Sequence, residues 1–194
     1  NMSMLDCFFS NKYANRADLF EGLSIWQDET YRKLQGTYPV IFLSFAAVKA
    51  GNLEDAKTQI KQEITRLYWE NRNLMKEDIF GEDERELYYR TTVKMDDVTA
   101  QDSLRNLSVW MERYYGKKVI ILLDEYDTPM QEAYVQGYWD EFTSFVRSLF
   151  NASFKTNPYL ERAIMTGITR VSKESIFSDL NNLRVVTTTS NLYA

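Results

Sequence analysis

The sequence predicts an α/β fold, in which a parallel β-sheet lies between two layers of helices. Short runs of apolar or β-branched residues, typical of strands buried on both faces, recur along the chain. Segments with apolar residues at helical spacing separate these runs, and buried strands that alternate with helices form parallel sheets. No Gly/Ser-rich linker divides the 194 residues, so we expect one domain that covers residues 1–194.

The predicted strands are residues 39–45, 119–123, 162–168 and 185–189. Residues 119–123, Val-Ile-Ile-Leu-Leu, form the clearest of them because every side chain is aliphatic. Pro39 fits the first position of its strand, since proline has no amide hydrogen to donate to a neighbouring strand.

The helices are predicted from apolar residues that recur every three or four positions. Gly116 is expected to end one helix, and Asp127 is expected to cap the helix that begins near Pro129. For Asp127, a tuning role beside a functional site is the alternative to capping. The predicted helical segments are residues 4–9, 53–70, 84–93, 104–114, 142–150 and 172–183.

The composition excludes several kinds of chemistry. With one cysteine and no histidine, the chain has no Ser-His-Asp or Cys-His catalysis, no structural zinc site and no disulfide framework. A net charge of −5 argues against a dominant nucleic-acid surface. No segment is long and apolar enough to cross a membrane and no signal-peptide pattern is present, so the expected compartment is the cytoplasm.

An acidic pair follows the clearest strand. Residues 120–125, Ile-Ile-Leu-Leu-Asp-Glu, have the Walker B pattern of aliphatic residues followed by Asp-Glu. Ligands bind outside the carboxyl ends of parallel strands, so Asp124 is placed to hold a Mg²⁺ that bridges nucleotide phosphates. Glu125 is then placed to orient or deprotonate the attacking water. A buried strand that merely ends in a polar loop has the same pattern, and the motif alone favours neither interpretation.

The strand predicted at 162–168 places a hydroxyl, that of Thr166, near its carboxyl end. Many P-loop ATPases have a polar sensor of the γ-phosphate at this position. Arg170 follows shortly after and is a candidate phosphate contact. The alternatives are that Thr166 bonds within its own loop and that Arg170 pairs with a surface carboxylate, which for Arg170 is the favoured interpretation.

The chain resembles a bacterial and archaeal family of predicted AAA-type ATPases, whose members often carry a PD-(D/E)XK nuclease-like domain after the ATPase part. Four stretches carry the resemblance, and Asp-Glu-Tyr-Asp-Thr-Pro within the third is far more specific than a bare Walker B motif. These stretches are residues 1–5, 38–45, 115–129 and 166–183.

The resemblance implies a P-loop NTPase-like fold that uses ATP and Mg²⁺. It implies that Asp124 holds the metal and contacts the nucleotide, that Glu125 activates water, and that Thr166 senses the γ-phosphate. No G-x-x-x-x-G-K-[ST] loop occurs in the sequence. The family's first strand and phosphate loop are thus expected to precede residue 1, and this chain alone is expected not to hold ATP tightly.

Other functions remain open at this stage. A degenerate ATPase fold can serve as a scaffold or a partner-binding module. A metal nuclease that uses Asp124, Glu125 and Asp127 is a weaker alternative, because a nearby catalytic lysine pattern and a basic surface are lacking. Nucleic acid is expected to be a partner only through a further downstream domain. Without the first strand, an open sheet edge is expected to permit self-association.

Overall fold

The computed structural model of the protein describes residues 2–168, 180 and 183–187. Within this part of the chain, the strands are β1 (Val40–Ser44), β2 (Val119–Asp124) and β3 (Leu160–Met165). The helices are α1 (Met2–Phe9), α2 (Ser24–Gln27), α3 (Glu29–Arg32), α4 (Leu53–Glu70), α5 (Glu82–Arg90), α6 (Asp97–Tyr115), α7 (Thr128–Gln136) and α8 (Trp139–Phe150). Short 3₁₀ turns cover Asn11–Tyr13, Ala17–Leu19 and Arg72–Lys76, and a π-turn, Asn151–Lys155, continues α8.

The three strands form one parallel sheet in the order β1-β2-β3. Val40 of β1 lies opposite Ile120 of β2, and Ile121 lies opposite Ala163 of β3. The central position of β2 and its parallel pairing on both sides confirm the predicted fold class. All three strands therefore end at the same edge of the sheet.

Alternation along β2 divides the core into two layers. Ile121 and Leu123 face a large cluster that includes buried residues of α4, α6 and α8, whereas Ile120 and Leu122 face a smaller cluster with Met2 of α1. Because successive strand residues point to opposite faces, a continuous aliphatic run is needed to fill both layers. The result is a three-layer, P-loop NTPase-like α/β arrangement.

Capping residues mark the first turns of the long helices α4 and α6 and the end of α6. The Asn52 side chain accepts a hydrogen bond from the Asp55 amide (2.9 Å) at the start of α4. Asp96 accepts one from the Thr99 amide (2.7 Å), which starts α6 seven residues before the segment predicted from its apolar spacing. Gly116 ends α6 with φ of +67°, as predicted. None of the described helices combines the length and apolar character that crossing a bilayer requires.

Two predicted elements end three residues earlier in the structure than predicted. Helix α5 stops at Arg90 rather than at residue 93, because Thr91 leaves the helical conformation and its hydroxyl bonds the Leu87 carbonyl (2.9 Å). Strand β3 begins at Leu160 and ends at Met165, whereas residues 162–168 were predicted.

The strand predicted at 185–189 is not formed by its described residues, 185–187. Val185 and Val186 are 40% and 47% exposed. A β-branched run becomes a strand only when a neighbouring strand accepts its hydrogen bonds, and no described strand pairs with this segment. Residues 188 and 189 lie outside the described part of the chain, as does the helix predicted at 172–183 apart from Leu180 and Leu183, which are not helical.

Candidate functional site

The carboxyl ends of β2 and β3 bring two predicted site residues together. Asp124 is the last residue of β2, and Thr166 directly follows β3. The Thr166 hydroxyl donates a hydrogen bond to Asp124 Oδ1, a short contact between half-buried side chains. Thr166 therefore bonds the acidic strand end rather than its own loop.

Backbone contacts fix Thr166 in this position. Its amide donates to the Leu123 carbonyl (3.0 Å), and its carbonyl accepts from the Tyr126 amide (3.1 Å). The parallel pairing of β2 and β3 thus continues past Met165 and carries Thr166 alongside Asp124. The hydroxyl position follows from the register of the sheet, because one residue of slippage would move the side chain to the other face.

Strand β1 adds a third polar side chain that the sequence analysis did not single out. Ser44 lies opposite Asp124 in the register, and the Phe45 amide donates to the Asp124 carbonyl (2.9 Å). The Ser44 hydroxyl accepts a hydrogen bond from the Ala46 amide (3.3 Å). Its position as the only polar residue within the apolar run 39–45 was the signal that could have identified it.

Glu125 has a left-handed backbone, with φ of +49°. It is the one non-glycine residue of the described chain with a positive φ. This conformation costs roughly 1–2 kcal/mol for a residue with a side chain, and such strain is concentrated at functional sites. The side chain is half-buried, and its Oε2 accepts a hydrogen bond from the Thr128 hydroxyl (3.3 Å).

Asp127 does not cap α7 with its side chain, so the capping prediction is wrong. Its backbone already has helical angles (φ −85°, ψ −17°), whereas a capping side chain reaches the first-turn amides from an extended residue. The carboxylate is buried, with 1% of the residue exposed. Its Oδ2 accepts a hydrogen bond from Gln131 Nε2 (3.1 Å), one turn further along the helix.

Gly167 packs directly against this buried carboxylate. A Cβ atom at position 167 would lie 2.6 Å from Asp127 Oδ1, which is closer than real contacts, and 3.0 Å from a ring carbon of Tyr126, which is a tight contact. The residue after Thr166 must therefore lack a side chain for the loop to approach α7.

The acidic groups do not form a metal cage by themselves. Among the residues that the structure describes, no three Asp, Glu or Cys side chains are grouped to hold a metal ion. Asp124 offers one half-buried carboxylate at the strand end, which suits Mg²⁺, an ion that takes one or two protein carboxylates together with substrate phosphates. Arg170, the remaining predicted site residue, lies outside the described residues.

Comparison with known proteins identifies the family of the chain. A family model described as "Predicted AAA-ATPase" matches residues 1–177. The chain is also 32% identical over 69 residues to an uncharacterized protein in the vnfD 5′ region of Azotobacter chroococcum mcd 1. That match covers 35% of this chain and 13% of the relative, so the chain spans a small part of that protein. No solved structure matches the chain.

Proposed function

The chain belongs to the predicted AAA-ATPase family, and on this premise we propose that the intact protein binds ATP with Mg²⁺ and hydrolyses it. The observation that carries the proposal is the hydrogen bond between Thr166 and Asp124 across the ends of two adjacent parallel strands. Nucleotides bind P-loop folds at this edge of the sheet, and the two side chains that the chemistry needs lie in contact there.

Each residue has one role in the proposed reaction. Asp124 would hold a Mg²⁺ ion, which would supply positive charge against the charge that develops on the phosphates in the transition state. Glu125, the next residue, orients the attacking water and accepts its proton. Thr166 donates its hydroxyl hydrogen to a γ-phosphate oxygen, and Arg170 adds a positive charge near the same phosphate.

The side chains of the proposed site bond to one another in the structure. In the structure the Thr166 hydroxyl donates to Asp124 Oδ1 and the Glu125 carboxylate accepts from Thr128. If Asp124 held Mg²⁺, the Thr166 hydroxyl would lie beside the metal and could donate to a γ-phosphate oxygen instead of to Oδ1.

Most of the phosphate binding comes from elsewhere in the intact protein. Residues 1–194 contain no G-x-x-x-x-G-K-[ST] loop, whose amides and lysine hold the phosphates in P-loop proteins. We place the activity in the cytoplasm, where ATP is supplied.

Steady-state phosphate release by the product of the whole gene tests the proposal. Glu125→Gln should retain Mg-ATP binding and lose most hydrolysis, because it removes the base and leaves the metal ligand. Glu86→Gln, an exposed substitution on α5, is the matched control and should hydrolyse ATP like the parent.

A Glu125→Gln protein that hydrolyses ATP at the parental rate would show that the assigned base is wrong. A parent that binds ATP without hydrolysing it would favour the scaffold function instead. Thr166→Ser should keep most of the activity and Thr166→Val should lower it to a small but measurable rate, since only serine retains the hydroxyl.

A further inference from the structure

We propose that Asp127 is a positioning residue for the ATPase site: its buried carboxylate supports Gly167 and thereby keeps the Thr166 hydroxyl beside Asp124. This inference rests on the proposed ATPase function. It gives a role to Asp127, the last acidic residue of the Asp-Glu-Tyr-Asp string, whose side chain does not cap the helix.

A carboxylate buried to this degree needs a structural reason. Only 1% of Asp127 is exposed, and a charge without polar partners is expensive to remove from water. Gln131 Nε2 donates to Oδ2 (3.1 Å) from the next turn of α7, which fixes the carboxylate plane relative to the helix. Oδ1 is the oxygen that faces Gly167.

The contact with Gly167 is close enough to position the loop. The space where a Cβ would stand at residue 167 is already occupied by the Asp127 carboxylate, at 2.6 Å from Oδ1 and 2.7 Å from Cγ. Tyr126 closes the same space with a ring carbon at 3.0 Å. Any movement of Gly167 towards α7 is therefore blocked by the buried carboxylate.

The end of β2 also holds Thr166 through its backbone. The Leu123 carbonyl and the Tyr126 amide bond its amide and carbonyl, at 3.0 and 3.1 Å. The segment Leu123–Asp127 thus contacts Thr166 through backbone hydrogen bonds and Gly167 through the Asp127 carboxylate. The left-handed turn at Glu125 lies between Asp124 and Asp127, both of which contact the residues that follow β3.

The consequence is that loss of Asp127 should act through Thr166. A small displacement of a group that stabilises the transition state lowers the catalytic rate far more than it lowers substrate affinity. We expect Asp127→Ala to reduce kcat roughly tenfold with a nearly unchanged Kd for Mg-ATP. Asp127→Asn keeps the shape and an acceptor for Gln131, so it should restore most of the activity.

A double-mutant cycle in the product of the whole gene separates this role from a general structural one. Asp127→Ala and Thr166→Val should each lower kcat, and their combination should be no worse than Thr166→Val alone, because both remove the same interaction. If the losses multiply, Asp127 acts independently of Thr166 and the inference is wrong.

Gly167→Ala changes the other partner of the contact between Asp127 and Gly167. It is the variant to use if Asp127→Ala fails to fold. It should lower kcat and also be non-additive with Thr166→Val, while an unchanged kcat would overturn the inference. Failure of the proposed function has a different signature, since the parent would then release no phosphate or Thr166→Val would match the parent.

Discussion

Comparing Glu125→Ala with Glu125→Gly measures the energetic cost of the left-handed backbone conformation at residue 125. Both variants remove the carboxylate and its hydrogen bond with Thr128, so their difference reports on the backbone alone. At φ of +49°, alanine retains the steric cost of a Cβ and glycine does not. We therefore expect the glycine variant to be the more stable of the two.

Two opposing contributions set the difference in the free energy of unfolding between the glycine and alanine variants. Relief of the left-handed conformation is worth roughly 1–2 kcal/mol. Glycine loses more chain entropy on folding, which costs about 0.5–1 kcal/mol. The balance leaves an advantage of about 0.5–1 kcal/mol for Glu125→Gly over Glu125→Ala in the free energy of unfolding.

Urea unfolding followed by the fluorescence of the four tryptophans gives both free energies. The matched control is Glu86 in α5, an exposed helical position where the order should reverse and glycine should be less stable by about 1 kcal/mol. If glycine is also less stable than alanine at position 125, Glu125 has an ordinary backbone and the described site geometry is wrong.

Three further predictions concern the fold and its ligand. Burial opposes ionisation of Asp97, but hydrogen bonds from two lysines of α4 lower its pKa below the usual value. Its carboxylate therefore stabilises the fold at pH values above the unfolded pKa of about 4. Because the side chain is 39% exposed, Asp97→Asn should lower the free energy of unfolding by only on the order of 1 kcal/mol at neutral pH. In urea unfolding, the gap between the parent and Asp97→Asn should shrink as the pH falls below about 4. Ile121→Ala, at a fully buried position of β2, should lower the free energy of unfolding by about 2–5 kcal/mol, whereas Ile79→Ala, 50% exposed, should cost under about 0.5 kcal/mol. Calorimetry on residues 1–194 alone should detect no micromolar binding of Mg-ATP, and such binding would contradict the requirement for a separate phosphate loop.

The features of the fold that periodicity encodes were predictable from the sequence. Residues 119–123 had to fill two apolar layers, and β2 is indeed the central strand. The spacing of apolar residues predicted both ends of α4 correctly, and Asn52 caps the helix immediately before its first residue. The strand predicted at 185–189 failed over 185–187 because strand formation depends on a pairing partner, which no local pattern specifies.

The sequence predicted where the candidate site lies in the fold, but it did not predict the conformation of the residues that form it. The motif and the strand-end rule identified Asp124 and Thr166, and the parallel register explains why they meet. The left-handed turn at Glu125 had no sequence signal, since glycine or asparagine usually marks that conformation. Asp127 was misread because a polar residue before proline normally caps a helix, while here tertiary packing against Gly167 holds the side chain elsewhere.

In the proposed function, the acidic end of β2 holds the magnesium of a bound nucleotide. The most direct test is equilibrium binding of ATP to the product of the whole gene, with and without Mg²⁺, for the parent and for Asp124→Asn. We expect Mg²⁺ to tighten ATP binding by the parent, and we expect Asp124→Asn to lose most of this enhancement while keeping its metal-free affinity. An enhancement by Mg²⁺ that is equal in the two proteins would contradict the assignment of Asp124.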